Sequence, residues 1–223
     1  MTWIKICGIT NPEDAQAAVD AGADALGFVF YEKSPRRVDV ETVRKIVQHV
    51  PDRVERVGVF VDEPGSHLVG IAERAGLTRL QLHKVTSPMG WPDFLASSPG
   101  SSSLKYIAAM SGRALENGGL LITTEFAEKV HAVMVDSGSA DAPGGTGVPF
   151  DWQKTKGMIR GMASNVNVIV AGGLTPSNVA DAMRILQPWG VDVSSGVESR
   201  PGKKDLTKIR AFVDAVREAD RLQ

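Results

Sequence analysis

Trp3-Ile4-Lys5-Ile6-Cys7-Gly8-Ile9-Thr10-Asn11-Pro12 is the stretch from which the fold is read. A short apolar run stops at Gly8, and Asn11-Pro12 opens a helix. Asparagine is a favoured N-cap, and proline suits the first helical position, where its missing N–H would have had no partner anyway. Gly22 sits just past the far end of the same helix, where a left-handed residue usually closes it. The unit is therefore strand, turn, helix, and the fold depends on how often it recurs.

Further strand patterns lie at 24–30, 55–61, 78–82, 104–109, 131–136, 166–171 and 190–194 after the first at 3–7. Helical patterns fall near 12–21, 40–49, 65–75, 91–97, 124–129, 151–161, 176–186 and 203–220. Strand followed by helix, over and over, predicts a parallel α/β sheet. Eight such units with no leftover segment favour closure into a (β/α)8 barrel, the TIM-barrel architecture, as one domain over residues 1–223. An open doubly wound sheet is the alternative. It calls for G-x-G-x-x-G after the first strand, and only Gly8 stands there.

Thr175-Pro176 repeats the start signal before the seventh helix, and Leu206, Ile209, Phe212, Val213 and Val216 place one apolar stripe on the last. The fourth and fifth helices are expected to be irregular. Residues 84–103 hold Pro88, Pro92, Pro99 and many serines, and residues 111–123 hold Gly112, Gly118 and Gly119.

With 25 Lys+Arg against 26 Asp+Glu, the chain carries no basic stripe of the kind that tracks nucleic acid. No apolar stretch is long enough to span a bilayer, and no signal segment stands at the N-terminus. The cytosol is the expected compartment, which also suits Cys7, the single cysteine. No long exposed apolar stripe remains once the barrel is built, so a monomer is expected, with a homodimer as the alternative.

Cys7 ends the first strand, at the edge where barrels of this type collect catalytic groups. Asp136 ends the sixth strand, Ala132-Val133-Met134-Val135-Asp136. Side chains alternate along a strand. If Val133 and Val135 pack against the helices, Asp136 points into the barrel mouth, and Cys7 points inward with Lys5 and Trp3. A thiol and a carboxyl on different sides of one pocket suit proton transfer onto and off a small substrate. Each residue alone is also open to a plainer reading, a small buried hydrophobe for Cys7 and a loop carboxylate for Asp136. By the same parity Asp192, on the neighbouring last strand, pairs with Lys5 beneath Cys7. That pair is expected to bias the thiol, ordinarily of pKa about 8.5, toward thiolate.

Gly172-Gly173 closes the seventh strand, Ser195-Gly196 follows the eighth, and Gly145 and Gly147 follow the sixth within Gly144-Gly145-Thr146-Gly147. Glycine lets main-chain amides approach an oxyanion, and the loops after strands seven and eight frequently bind phosphate. A phosphate cradle is the reading that accounts for the clusters at the ends of both strands; Gly145 and Gly147 either join it or hinge a loop.

The order of these segments resembles the phosphoribosylanthranilate isomerase family over essentially the whole chain. The resemblance is carried by Lys5-Ile6-Cys7-Gly8-Ile9-Thr10, Gly27-Phe28-Val29-Phe30 with Ser34-Pro35-Arg36, Gln81-Leu82-His83, and Val135-Asp136-Ser137. Gly144-Gly145-Thr146-Gly147, Ala171-Gly172-Gly173-Leu174 and the run from Gly190 to Asp205 complete it. It implies an Amadori rearrangement of a phosphoribosyl substrate in tryptophan biosynthesis, with no metal or organic cofactor. Asp136 is then the general acid and Cys7 the general base. Arg36 faces the anthranilate carboxylate, and His83 lies near the substrate. Lys84 departs from the family's usual glycine after Gln-Leu-His, and residues 84–103 and 111–123 match poorly.

Three other readings are weighed. A metal-dependent epimerase needs several converging histidines and aspartates, and only His83 is well placed. A bifunctional isomerase typically has aspartate where Cys7 stands. A non-catalytic phosphosugar-binding barrel has no need of Cys7 and Asp136 together.

Overall fold

The structure is a computed structural model that describes residues 1–63, 65–83, 104–116, 123–138 and 149–222. A closed parallel barrel runs in sequence order through β1 Trp3–Cys7, β2 Ala25–Val29, β3 Glu55–Val61, β4 Arg79–His83, β5 Lys105–Ser111, β6 Ala132–Asp136, β7 Asn167–Val170 and β8 Gly190–Val193. Closure is made by β1 pairing with β8, with Lys5 opposite Asp192. The described helices are α1 Pro12–Ala21, α2 Val40–Val47, α3 Gly65–Ala75, α4 Gly112–Glu116, α5 Thr124–Lys129, α6 Trp152–Met162, α7 Val179–Leu186 and α8 Leu206–Arg221. The helix expected near 91–97 lies outside the described residues.

Local chemistry accounts for the ends. The Asn11 side chain accepts from the Asp14 amide, and Gly22, at φ +96°, returns its own N–H to Ala18 and Val19. The fifth unit is broken into the short α4 and α5, as its glycines predict.

Strand alternation sorts the core into two parts. Ile4, Ile6, Val133, Val135, Val191 and Val193 face outward and pack with the helices. Ala25, Val57, Ile107, Met134, Ile169 and Ala171 fill the barrel interior. The parity assumed for Cys7 and Asp136 therefore holds. At the opposite, N-terminal end the barrel is plugged. Trp3 and Trp189 stack at 5.2 Å, and the Arg79 guanidinium lies 5.9 Å from the Trp3 ring. Arg79 Nη2 donates to Glu55 Oε1 at 2.7 Å.

Two expectations need correction. The seventh helix begins at Val179, not Pro176. The Asn178 side chain closes the preceding loop instead of extending the helix, accepting from the Thr175 amide at 2.8 Å and donating to the Gly173 carbonyl at 3.0 Å. The last helix begins at Leu206, where the Asp205 carboxylate accepts from the Thr207 and Lys208 amides. Lys203 and Lys204 instead form β10, paired antiparallel with β9, Glu198–Arg200, across the Pro201-Gly202 turn.

Candidate active site

The C-terminal ends of the strands build one pocket whose base is Lys5. Its side chain is wholly buried, with Nζ 2.7 Å from Asp192 Oδ1. Burial alone would lower the Lys5 pKa, but Asp192 and Cys7 outweigh it and the ammonium is held above its ordinary 10.5. One turn of the pleat higher, Cys7 is 8% exposed. Lys5 and Lys204 favour its thiolate, yet burial is the larger influence and the thiol pKa rises. Lys5 thus pulls the thiol in the expected direction, Asp192 opposes it, and desolvation is the largest influence of all.

Asp136 stands at the end of β6 with its Oδ1 accepting from the Gly138 amide at 2.8 Å. Burial pushes its carboxyl pKa up, against the pull of that amide and of Lys5. Cys7 and Asp136 both stand at the C-terminal ends of barrel strands, β1 and β6, with side chains on the inward parity, and the buried Lys5 ammonium favours the charged form of each. A carboxyl that favours its proton is suited to act as an acid.

His83 ends β4 with Nε2 2.8 Å from Gln81 Nε2. Burial, reinforced by Lys5, lowers its pKa to about 4, so the imidazole is neutral at physiological pH. With Nε2 accepting from the Gln81 side-chain amide, a neutral ring carries its proton on Nδ1 and can donate it to a sugar hydroxyl. Among the described residues no three or more His, Cys, Asp or Glu side chains gather as a set of metal ligands.

Arg36 reaches the pocket from the loop after β2. Gly8, at φ +78°, lets it pass, since a Cβ there would lie 2.6 Å from Arg36 Cδ and 3.0 Å from Ser194 Oγ. Its guanidinium makes a two-pronged contact with Glu198, Nε to Oε1 at 2.9 Å and Nη2 to Oε2 at 2.8 Å. Lys204 Nζ donates to the same Oε1 at 3.1 Å and to the Ser194 carbonyl at 3.2 Å. Burial opposes the charge on Glu198, but Arg36 and Lys204 prevail and hold its pKa below the ordinary value. The β9–β10 hairpin is in turn anchored to α1, with the Lys204 amide donating to Asp14 Oδ2 at 2.8 Å and Lys203 Nζ to Oδ1 at 2.6 Å.

Sequence reasoning gave Glu198 and Lys204 no role. The available signal was a Pro-Gly turn flanked by charged residues, the mark of a short hairpin.

Gly172 and Gly173 both adopt positive φ, +83° and +68°. A Cβ on Gly172 would strike Ser137, and one on Gly196 would strike the Leu174 carbonyl. Both positions require glycine for close packing of the loops after β7 and β8. The main-chain amides of Gly172, Gly173, Ser195 and Gly196 donate no hydrogen bond among the described residues. Free amides on two adjacent loops are what an oxyanion needs. Gly145 and Gly147 lie outside the described residues.

Comparison with known proteins gives a consistent result. The profile of the family described as N-(5'phosphoribosyl)anthranilate (PRA) isomerase matches residues 4–215. The N-(5'-phosphoribosyl)anthranilate isomerase of Pelobacter propionicus is 42% identical over 218 residues, covering 98% of this chain and 97% of that protein. Its counterpart from Pseudomonas fluorescens is 43% identical over 213 residues, covering 96% and 97%. The crystal structure of the Thermotoga maritima enzyme superposes with a TM-score of 0.81 at 34% identity, covering 98% of this chain and all of that one. A phosphoribosyl anthranilate isomerase solved with reduced 1-(o-carboxyphenylamino)-1-deoxyribulose 5-phosphate superposes with a TM-score of 0.77, also at 34% identity and with the same coverage.

Proposed function

The chain belongs to the N-(5'-phosphoribosyl)anthranilate isomerase family and is an isomerase of tryptophan biosynthesis; we propose that it works by general acid–base catalysis with Asp136 as the acid and Cys7 as the base. Asp136 donates its proton to the ribose ring oxygen while the anthranilate nitrogen lone pair expels that oxygen from C1. The ring opens to a Schiff base. The Cys7 thiolate then removes the C2 proton, and the electrons of that bond neutralise the iminium. The resulting enolamine tautomerises to the ketone, gaining a proton at C1 and losing one from the C2 hydroxyl. The iminium is the electron sink, so the scheme balances without a metal or redox cofactor.

The observation that supports this reading is that Cys7 and Asp136 end barrel strands β1 and β6 with side chains on the inward parity, at the same end of one closed barrel. The phosphate is held by the free amides of Gly172, Gly173, Ser195 and Gly196. Arg36 takes the anthranilate carboxylate on the guanidinium edge that Glu198 leaves open. His83 supports a substrate hydroxyl as a neutral ring.

Fluorescence loss of phosphoribosylanthranilate tests the roles. Cys7→Ala and Asp136→Ala should each lose about 10²–10⁴-fold in kcat, the usual scale for such groups. Near-normal turnover in both variants would overturn the assignment.

The same reading makes the protein a cytoplasmic monomer. No helix of the described residues is long and apolar enough to cross a membrane. Among the described residues the large exposed apolar side chains are Met1, Leu206 and Leu222. The Thermotoga maritima relative is described as dimeric. Sedimentation equilibrium distinguishes the two states, and a dimer mass at micromolar concentration would refute the monomer.

A further inference from the structure

Arginine is long and flexible, so a guanidinium that must meet a carboxylate edge-on has to be held in orientation by something else. It carries five N–H donors in one plane and has two edges able to grip a carboxylate with two hydrogen bonds. In Arg36 the edge made by Nε and Nη2 is occupied by the two oxygens of Glu198, at 2.9 and 2.8 Å. The remaining edge, Nη1 with the outer N–H of Nη2, has no hydrogen-bond partner among the described residues. Because the group is planar, fixing one edge fixes the direction of the other.

Glu198 is itself fixed. Its side chain is 5% exposed, and Lys204, whose side chain is fully buried, donates to Oε1. Lys204 also donates to the carbonyl of Ser194, the residue just before the free amides of Ser195 and Gly196. A continuous set of contacts thus runs from the guanidinium through Glu198 and Lys204 to the loop after β8.

We propose that Glu198, held by Lys204, is the positioning residue that aims the open edge of Arg36 at the ring carboxylate of the substrate. Glu198 touches no substrate and acts only through Arg36. The inference rests on the reading of Arg36 as the carboxylate-binding residue. It predicts that selectivity for the carboxylated ring is a property of the pair and is lost when either member is changed.

The test compares two probes, reduced 1-(o-carboxyphenylamino)-1-deoxyribulose 5-phosphate and the same compound without the carboxyl group. Wild type should prefer the carboxylated probe by about 10–100-fold, the scale of a charge-assisted contact. In Glu198→Gln that preference should fall at least about fivefold, KM should rise, kcat should change less than about threefold, and binding of the probe lacking the carboxyl should be unchanged. Equal weakening of both probes would mean that Glu198 merely holds the hairpin in place, and would overturn the proposal. A preference that is unchanged or increased would also overturn it, the latter because Glu198 would then be competing with the ligand.

Arg36→Met, measured in parallel, separates this inference from its premise. An intact preference in Arg36→Met defeats the carboxylate-binding role itself. Loss there with retention in Glu198→Gln defeats only the positioning role. If Glu198→Gln does not fold, Glu198→Asp keeps the charge and draws the carboxylate back by one methylene, so the preference must fall in that variant too.

Discussion

Gly27 lies directly against Cys7: a Cβ placed on Gly27 would stand 2.7 Å from the Cys7 sulfur and 3.0 Å from Lys5 Cε. The hydrogen at this position is what leaves room for the thiol. Gly27→Ala should therefore displace the sulfur, and with a Cβ also 3.0 Å from the Cys7 Cα it should press on β1 as well. Misplacing a reacting group by about 1 Å can cost about 10²-fold, so kcat should drop by one to two orders of magnitude with a normal far-ultraviolet spectrum. Unchanged kcat would mean that the sulfur has slack that the structure does not show.

The thiol titration follows from the same corner. Burial raises the Cys7 pKa, and Lys5 opposes that rise. Alkylation of Cys7 followed against pH should have a midpoint above the ordinary thiol value, and Lys5→Met should move it higher still. Because that change leaves Asp192 buried without its partner, Lys5→Met with Asp192→Asn is the cleaner comparison. A midpoint that does not move in either variant would remove Lys5 from the account of Cys7. Breaking one side of the pair should also cost about 3–5 kcal/mol of stability, and the double change less.

Asp136 trades stability against chemistry. Its folded pKa is raised above 3.8 by burial, so the fold favours the protonated form relative to the unfolded chain, and ionisation works against folding. Asp136→Asn keeps the shape and the acceptor for the Gly138 amide but removes the charge. Thermal unfolding at pH 7 should show an equal or higher Tm, while kcat falls by about 10²–10⁴-fold. A marked fall in Tm would show that the carboxylate is a structural anchor.

The histidines set the stability in mild acid. His83 and His131 both have pKa values lowered to about 4 from 6.5, chiefly by burial. Between those values the unfolded chain binds protons that the folded one refuses, so stability is lost as pH falls through that window. Urea denaturation at pH 7.5, 6 and 5 should give a declining midpoint. The double variant His83→Gln, His131→Gln should give a flatter one. A wild-type midpoint constant from pH 7.5 to 5 would contradict the burial of both rings.

The barrel was readable in the sequence because its determinants are local. Cap residues such as Asn11 and Gly22, and strand alternation at Val133 and Val135, act over a few positions. The inward parity of Cys7, Lys5, Asp136 and Asp192 follows from that same alternation. The link between Arg36 and Glu198 was not readable, because it spans 162 positions and joins charges that a sequence presents as surface groups. The start of α7 was missed because Asn178 spends its side chain on the loop, a choice that depends on where Gly173 and Thr175 lie in space. The influence of Lys5 on Cys7 was readable from the strand parity, whereas the larger effect of burial was not, because a sequence identifies the neighbouring cation but not the depth of burial.

The register that places Lys5 opposite Asp192 joins the first strand of the barrel to its last. During synthesis on the ribosome β1 emerges early, and one edge of it stays unpaired until residues near the far end arrive. The ammonium beneath the thiol gains its counter-ion only at that final step. Until then the unpaired edge of β1 is open to pairing with another strand.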